Sequence, residues 1–128
     1  MNFAIDTNRL SDYFTAKDNS LREVFRAAET IYAPVIVVGE YRFGAYRGLK
    51  RAYNLQNLEN FLLLDSVTVL SIDQETASQY AELRAYLATN GTPIPVNDLW
   101  IAALCVQHDL SLLTRDSDFK HLPQVHLI

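Results

Sequence analysis

The chain opens with MNFAIDTNRLSDYF (residues 1–14), in which a short apolar segment runs directly into a carboxylate. Residues 3–5 have the composition of a buried strand, and Asp6 follows them at once. Apolar side chains then recur at helical spacing, which predicts a short helix over residues 10–16. The position of Asp6 matters, because the functional crevice of a parallel sheet lies beyond the carboxyl ends of its strands.

The rest of the chain repeats this alternation of short strands and helices. The segment VIVVGEYRFGAYRG (35–48) is ambiguous, because its branched residues favour a strand while several of its side chains recur at helical spacing. Parallel strands joined by helices require right-handed crossovers, so the sequence predicts one layered α/β domain over residues 1–128. The predicted strands cover 3–5, 30–34, 67–72, 110–114 and an edge strand at 125–128, and the predicted helices cover 10–16, 20–29, 55–62, 73–91 and 97–109.

Composition narrows the class of protein. The 128 residues carry 15 acidic and 11 basic side chains, a net charge of -4, which argues against a polyanion binder that works by bulk positive charge. No apolar run approaches the roughly 20 residues of a membrane span, and the N-terminus lacks the features of a signal peptide, so we expect a cytoplasmic protein. The single cysteine, Cys105, lies in an apolar segment and is expected to be a buried thiol without chemistry.

Five acids border or interrupt apolar segments. Each has an ordinary structural explanation: Asp6 could cap the following helix, Asp98 could complement a helix dipole, and Asp116 and Asp118 could form a turn. Glu40 is harder to explain, because its neighbours in VVGEYRFG are mostly apolar or aromatic; a salt bridge to a nearby arginine, Arg42 or Arg47, is the alternative.

Taken together, the acids predict a metal site. Carboxylates that share one crevice repel each other, and a divalent cation removes that repulsion. Oxygen ligands without a nearby pair of histidines or cysteines favour Mg²⁺ or Mn²⁺ over zinc. The chemistry of such a site is metal-assisted hydrolysis, in which the ion generates the nucleophilic water and stabilises the leaving oxygen.

Four segments carry a family resemblance: FAIDTNRLSDYF, GEYRFG, IPVNDLWIAA and LLTRDSDFKHLP, in that order. In these motifs the chain resembles the PIN domain, and closely the VapC family of ribonuclease toxins from type II toxin-antitoxin (VapBC) modules. The resemblance implies a three-layer α/β/α fold with a central, mainly parallel sheet, and it implies that the ambiguous segment is a helix from about Val35. It also implies endoribonuclease activity, dependence on Mg²⁺ or Mn²⁺, a homodimer, and inhibition by a small VapB-type antitoxin.

The resemblance also assigns roles to individual residues. It implies catalytic and metal-binding roles for Asp6, Glu40, Asp98 and Asp116, with Asp118 as a fifth metal ligand whose role relative to Asp116 stays open. Two polar residues, Asn8 and Thr114, resemble those that orient carboxylates or the attacking water in the family.

The basic residues suggest contacts with RNA. Arg9 and Arg115 adjoin the predicted metal ligands and are the better candidates for phosphate contact. A second group is interleaved with tyrosines, and it is interpreted as an RNA platform, a dimer or antitoxin surface, or an ordinary solvated face. That second group comprises Arg42, Arg47, Lys50 and Arg51, with Tyr41, Tyr46 and Tyr53.

Two function classes compete. The first is a metal-dependent endoribonuclease toxin acting on a structured RNA such as tRNA or ribosomal RNA, and the second is a non-catalytic module of similar fold that binds a basic peptide. The complete set of four acids favours the enzyme, because a scaffold has no need to hold all of them. A phosphatase with Asp6 as nucleophile is disfavoured, because Lys120 is the only lysine after a predicted strand end and it follows the last acid.

Overall fold

The computed structural model describes residues 1–15 and 19–128. Short strands and longer helices alternate through most of the chain, as the sequence predicts. In order they are β1 (Asn2–Ile5), α1 (Thr7–Thr15), α2 (Asn19–Ala27), β2 (Thr30–Pro34), α3 (Val35–Arg47), α4 (Arg51–Leu62), β3 (Val67–Leu70), α5 (Gln74–Asn90), α6 (Val96–Gln107) and β4 (Ser111–Leu113), followed by a 3₁₀ helix over Ser117–His121.

The four strands form one parallel sheet in the order β3-β2-β1-β4. β1 is central, since Phe3 pairs in register with Ile31 on one side and Ser111 on the other. Helices cover both faces of the sheet, which confirms the predicted three-layer α/β/α architecture. The apolar side chains of β1 are completely buried, so the strand that ends at Asp6 runs through the middle of the core.

The ambiguous segment is a helix. α3 begins at Val35, directly after Pro34, as the family resemblance implied. Val37 on this helix is completely buried in the core while Val35 is 40% exposed, so burial on one side, rather than the preference of branched residues for strands, fixes its conformation.

Two predicted boundaries need comment. The edge strand at 125–128 is wrong as a strand: it makes a single bridge between Leu127 and Leu112. Val125 belongs to a tight turn instead, because its N–H donates to the Leu122 carbonyl, and too few residues remain to extend the ladder. The first helix begins at Thr7, earlier than predicted, and its predicted last residue, Ala16, lies outside the described residues.

Helix α6 is the buried central helix that the sequence predicts. Ile101, Ala102, Ala103 and Leu104 are completely buried, and the Cys105 thiol among them has its pKa raised to about 12, chiefly by burial. In the described part of the chain, no helix is both long enough and apolar enough to cross a membrane.

Candidate active site

Acids from separate parts of the chain meet at the carboxyl edge of the sheet. Asp6 follows the central strand β1 directly, and Asp116 is the third residue after its neighbour β4. Glu40 lies in the second turn of α3, the helix that leaves β2, and Asp98 lies in the first turn of α6. Hydrogen bonds and short distances between carboxylate oxygens bring the five acids together at this edge, where the charges of the other four raise the pKa of Asp98.

Three of these acids are close enough to hold one ion. One carboxylate oxygen from each of Asp98, Asp116 and Asp118 lies within 4.8 Å of the others. Oxygens on opposite sides of an octahedral Mg²⁺ are about 4.2 Å apart, so small side-chain movements would complete the ligation. The structure brings Asp116 and Asp118 to the same place, beside Asp98.

Asp6 is buried, with 4% of its surface exposed. Its Oδ2 accepts from the Thr114 hydroxyl at 2.7 Å, and its Oδ1 accepts from the N–H of Thr7 at 2.8 Å. A helix-capping side chain normally takes the second or third amide of the helix, whereas Thr7 is the first, so capping does not account for this carboxylate. Burial has the largest effect on the pKa of Asp6 and raises it. The two hydrogen bonds lower this pKa, and the charges of Glu40 and Asp116 raise it further.

Among the five acids, the ionised form of Asp98 is the most disfavoured by its surroundings. It is 8% exposed, and burial together with the four neighbouring carboxylates raises its pKa to about 7. Its position in the first turn of α6 also suits the helix dipole, as the ordinary explanation proposed. The favourable interaction with the helix dipole does not offset the loss of water and the repulsion between carboxylates, since the pKa of Asp98 is raised.

Glu40 is held by polar side chains, not by an arginine. Its Oε1 accepts from the Thr7 hydroxyl at 2.8 Å, and its Oε2 accepts from the Asn97 amide at 3.4 Å. The alternative of a salt bridge to Arg42 or Arg47 is therefore wrong. Thr7 and Asn97 were not predicted, although each adjoins a predicted acid in the sequence, and that adjacency is the signal that would have found them.

The two predicted orienting residues differ in what they touch. The Thr114 hydroxyl donates to Asp6 and accepts from the N–H of Asp116 at 3.0 Å, so it links the acid after β1 to the acid after β4. Asp116 in turn accepts from the N–H of Asp118 at 2.9 Å and caps the 3₁₀ helix, which is the turn role expected of such residues. The Oδ1 atom of Asn8 is buried and has no hydrogen-bond partner among the described residues.

Two arginines meet at an acid that the sequence analysis did not single out. Arg115 donates from Nε and Nη2 to the two oxygens of Asp12, at 2.9 and 3.3 Å, and Arg9 donates to the same carboxylate at 3.5 Å. Asp12 thus holds both arginines that flank the predicted metal ligands in sequence. Because its main partner lies 103 residues away, only the fold could reveal this role.

The other two predicted phosphate contacts point elsewhere. Arg42 pairs with Glu59 of α4 at 2.7 Å, and it lies about 200° around the helix from Glu40. The guanidinium of Arg47 lies 5.4 Å from the centre of the Phe43 ring. Neither arginine is brought to the carboxylate cluster.

Comparison with known proteins agrees with this geometry. The family model of the PIN domain matches residues 3–125. The chain belongs to the PIN domain family. This PIN domain is 34% identical over 120 residues to the VapC ribonuclease Y4jK of Sinorhizobium fredii, with 88% of this chain and 86% of that protein covered.

Two further matches cover nearly the whole PIN domain. The tRNA(fMet)-specific endonuclease VapC of Salmonella typhimurium is 27% identical over 129 residues, covering 99% of this chain and 96% of that one. The crystal structure of DNA-bound VapBC from Salmonella typhimurium superposes with a TM-score of 0.90 at 27% identity, covering 100% of this chain and 97% of the other. The predicted VapC resemblance is confirmed.

Proposed function

We propose that this PIN domain is a metal-dependent endoribonuclease toxin that hydrolyses phosphodiester bonds of a structured RNA such as tRNA or ribosomal RNA. The observation that carries the proposal is the convergence of Asp6, Glu40, Asp98, Asp116 and Asp118 on one crevice. The names of the relatives, a VapC ribonuclease and a tRNA-specific endonuclease, support RNA as the substrate. We place the reaction in the cytoplasm, where such RNA is found.

The donor set fits a hard divalent cation, Mg²⁺ or Mn²⁺. We assign Asp98, Asp116 and Asp118 as direct ligands, because their oxygens already lie within 4.8 Å of one another. When bound, the ion supplies an acidified water and offsets negative charge on the phosphate and the leaving oxygen. Asp6 and Glu40 complete the acidic wall of the site.

The chain's own groups prepare the site for this reaction. The Thr114 hydroxyl orients Asp6 toward the crevice, and the Thr7 hydroxyl and Asn97 amide fix Glu40. These bonds fix the carboxylates in place before the cation arrives, so little rearrangement is needed on binding. Arg115, held by Asp12, offers positive charge beside an otherwise acidic site and would attract an RNA phosphate.

We also propose two protein partners: a second copy of the chain, and a VapB-type antitoxin that binds and inhibits the toxin. The VapBC complex among the structural relatives supports the antitoxin. Residues 1–128 are taken as one PIN domain in this proposal.

Cleavage of RNA by the purified protein tests the function. We expect cleavage with Mg²⁺ or Mn²⁺, and none after EDTA. Asp6→Asn and Asp98→Asn are expected to remain folded by circular dichroism but to lose at least a hundredfold in rate, whereas Asp65→Asn in the exposed turn between α4 and β3 serves as a matched control with wild-type activity. Asn variants that cut as fast as wild type under the same metal would refute the assigned roles.

A further inference from the structure

A groove of about 310 Å³ adjoins the acidic cluster. It lies between α1, α3 and α4, and it begins at Thr7 and Glu40, the pair whose hydrogen bond borders the carboxylates. An extended RNA with its scissile phosphate at the acids must place a neighbouring nucleotide over the adjoining surface. The side chains relevant to such a nucleotide are Phe14, Tyr41, Tyr53, Asn54 and Asn57, with Gly44 on the α3 side.

Gly44 lines the α3 side of the groove. It lies inside a regular helix, where glycine costs about 1 kcal/mol relative to alanine. A methyl group added at Gly44 would meet no atom within 4 Å, so packing inside this chain does not require a glycine here. Its effect is to keep the groove open and to let a ligand approach the helix backbone.

Aromatic rings line the groove. Tyr41 and Phe14 form an edge-to-face pair, with ring centres 5.2 Å apart. Tyr53 is 62% exposed, and it lines the groove together with Tyr41. An exposed ring beside a cleavage site is a surface on which a nucleobase can stack.

Side-chain amides complete the lining. Asn54 and Asn57 are half-buried residues of α4, and each offers both a donor and an acceptor, the combination that matches the edge of a base. Among the lining residues, all within the described part of the chain, Glu40 alone is charged. The aromatic rings and amides away from Glu40 suit a flat polar heterocycle, which can stack on a ring and bond to an amide.

We infer that this groove binds the nucleobase next to the scissile phosphate, with Tyr53 stacking on its face and Asn54 and Asn57 contacting its edge. The inference rests on the proposed ribonuclease function and adds a base-specificity site to it. The inference gives different roles to the tyrosines of this stretch. Tyr41 and Tyr53 line the groove, whereas Tyr46 lies against Arg51, with 4.0 Å between the Arg51 guanidinium carbon and the Tyr46 ring centre.

The test uses single-stranded RNA oligonucleotides that carry each of the four bases beside the cleaved bond. We expect Tyr53→Ala to raise KM about 5- to 100-fold and Tyr53→Phe, which keeps the ring, to stay close to wild type. Gly44→Ala and Gly44→Leu should remain folded, and each should weaken cleavage, the leucine variant more than the alanine variant.

Asn57→Leu should reduce the difference in cleavage rate among substrates with the four different bases. Gly39→Ala, at a helical glycine that also has open space but does not line the groove, is the matched control.

Two results would overturn the inference. One is an active wild-type enzyme whose Tyr53→Ala, Gly44→Leu and Asn57→Leu variants keep its KM and its base preference. The other is a set of groove variants that cut RNA as wild type does but no longer bind an oligoarginine peptide in a parallel measurement. That result would assign the groove to a protein partner. If wild type itself fails to cleave RNA with metal, the proposed function fails first, and the two failures are thereby distinguished.

Discussion

Replacing Asp98 by asparagine should make the metal-free protein more stable at pH 8 while it abolishes RNA cleavage. Burial and four neighbouring carboxylates raise the pKa of Asp98 to about 7, against about 3.9 in an unfolded chain. The difference of about 3 units corresponds to about 4 kcal/mol of folding free energy. Asparagine has nearly the same shape and carries no charge, so it removes this cost.

The sign follows from proton binding. Between pH 4 and 7 the folded protein holds a proton on Asp98 that the unfolded chain has released. The contribution of Asp98 to the free energy of unfolding is therefore most favourable below pH 4, and it falls as the pH rises from 4 through 7. The advantage of Asp98→Asn should therefore be near zero at pH 4 and reach about 4 kcal/mol at pH 8.

Urea unfolding in EDTA at pH values from 4 to 8 measures this difference, with Asp65→Asn as the control for loss of a negative charge elsewhere. Added Mg²⁺ at a hundred times its Kd should reduce the difference to about 1.3 kcal/mol, because it stabilises wild type by about 2.7 kcal/mol and has little effect on the variant. A variant that is less stable than wild type at pH 8 in EDTA would refute the electrostatic reasoning.

Three further predictions follow from individual contacts. Thr114→Val removes the donor to Oδ2 of the buried Asp6 carboxylate and should lower the free energy of unfolding by about 1.5–3 kcal/mol in chemical denaturation, with Thr114→Ser close to wild type. Arg115→Ala should raise KM for RNA and reduce the slope of log affinity against log salt by about 0.7, measured by titration at several salt concentrations; an unchanged slope would exclude a phosphate contact. Arg42→Ala should leave kcat and KM unchanged, because Arg42 lies about 200° around α3 from Glu40 and pairs with Glu59 on that side, and a tenfold loss would contradict that placement.

Much of the fold was predictable because its signals are local. The apolar run before Asp6, the acid-rich start of α5 with Gly91 at its end, and the all-round apolar character of α6 each identify an element without reference to the rest of the chain. The VapC resemblance was needed for α3, since branched residues and helical spacing point in opposite directions there. The segment at 125–128 was misread because strand composition does not reveal that Val125 is held in a turn.

The acids of the candidate site could be predicted from the sequence, but the hydrogen bonds and ion pairs around them could not. Acids that border strand ends can be recognised in a sequence, because the sheet topology brings those ends together. Asp12 could not be found in this way, since on its helix it resembles an ordinary surface acid and its partner Arg115 comes from the other end of the chain. The hydrogen bond of Thr7 to Glu40, across 33 residues, was hidden for the same reason.

The most direct test of the central claim is anomalous diffraction from crystals of the protein soaked in Mn²⁺. The account predicts a strong peak in the crevice, about 2.0–2.3 Å from carboxylate oxygens of Asp98, Asp116 and Asp118, and no such peak in Asp98→Asn crystals. Crystals in which Mn²⁺ binds elsewhere on the protein, with these three side chains directed away from one another, would contradict it.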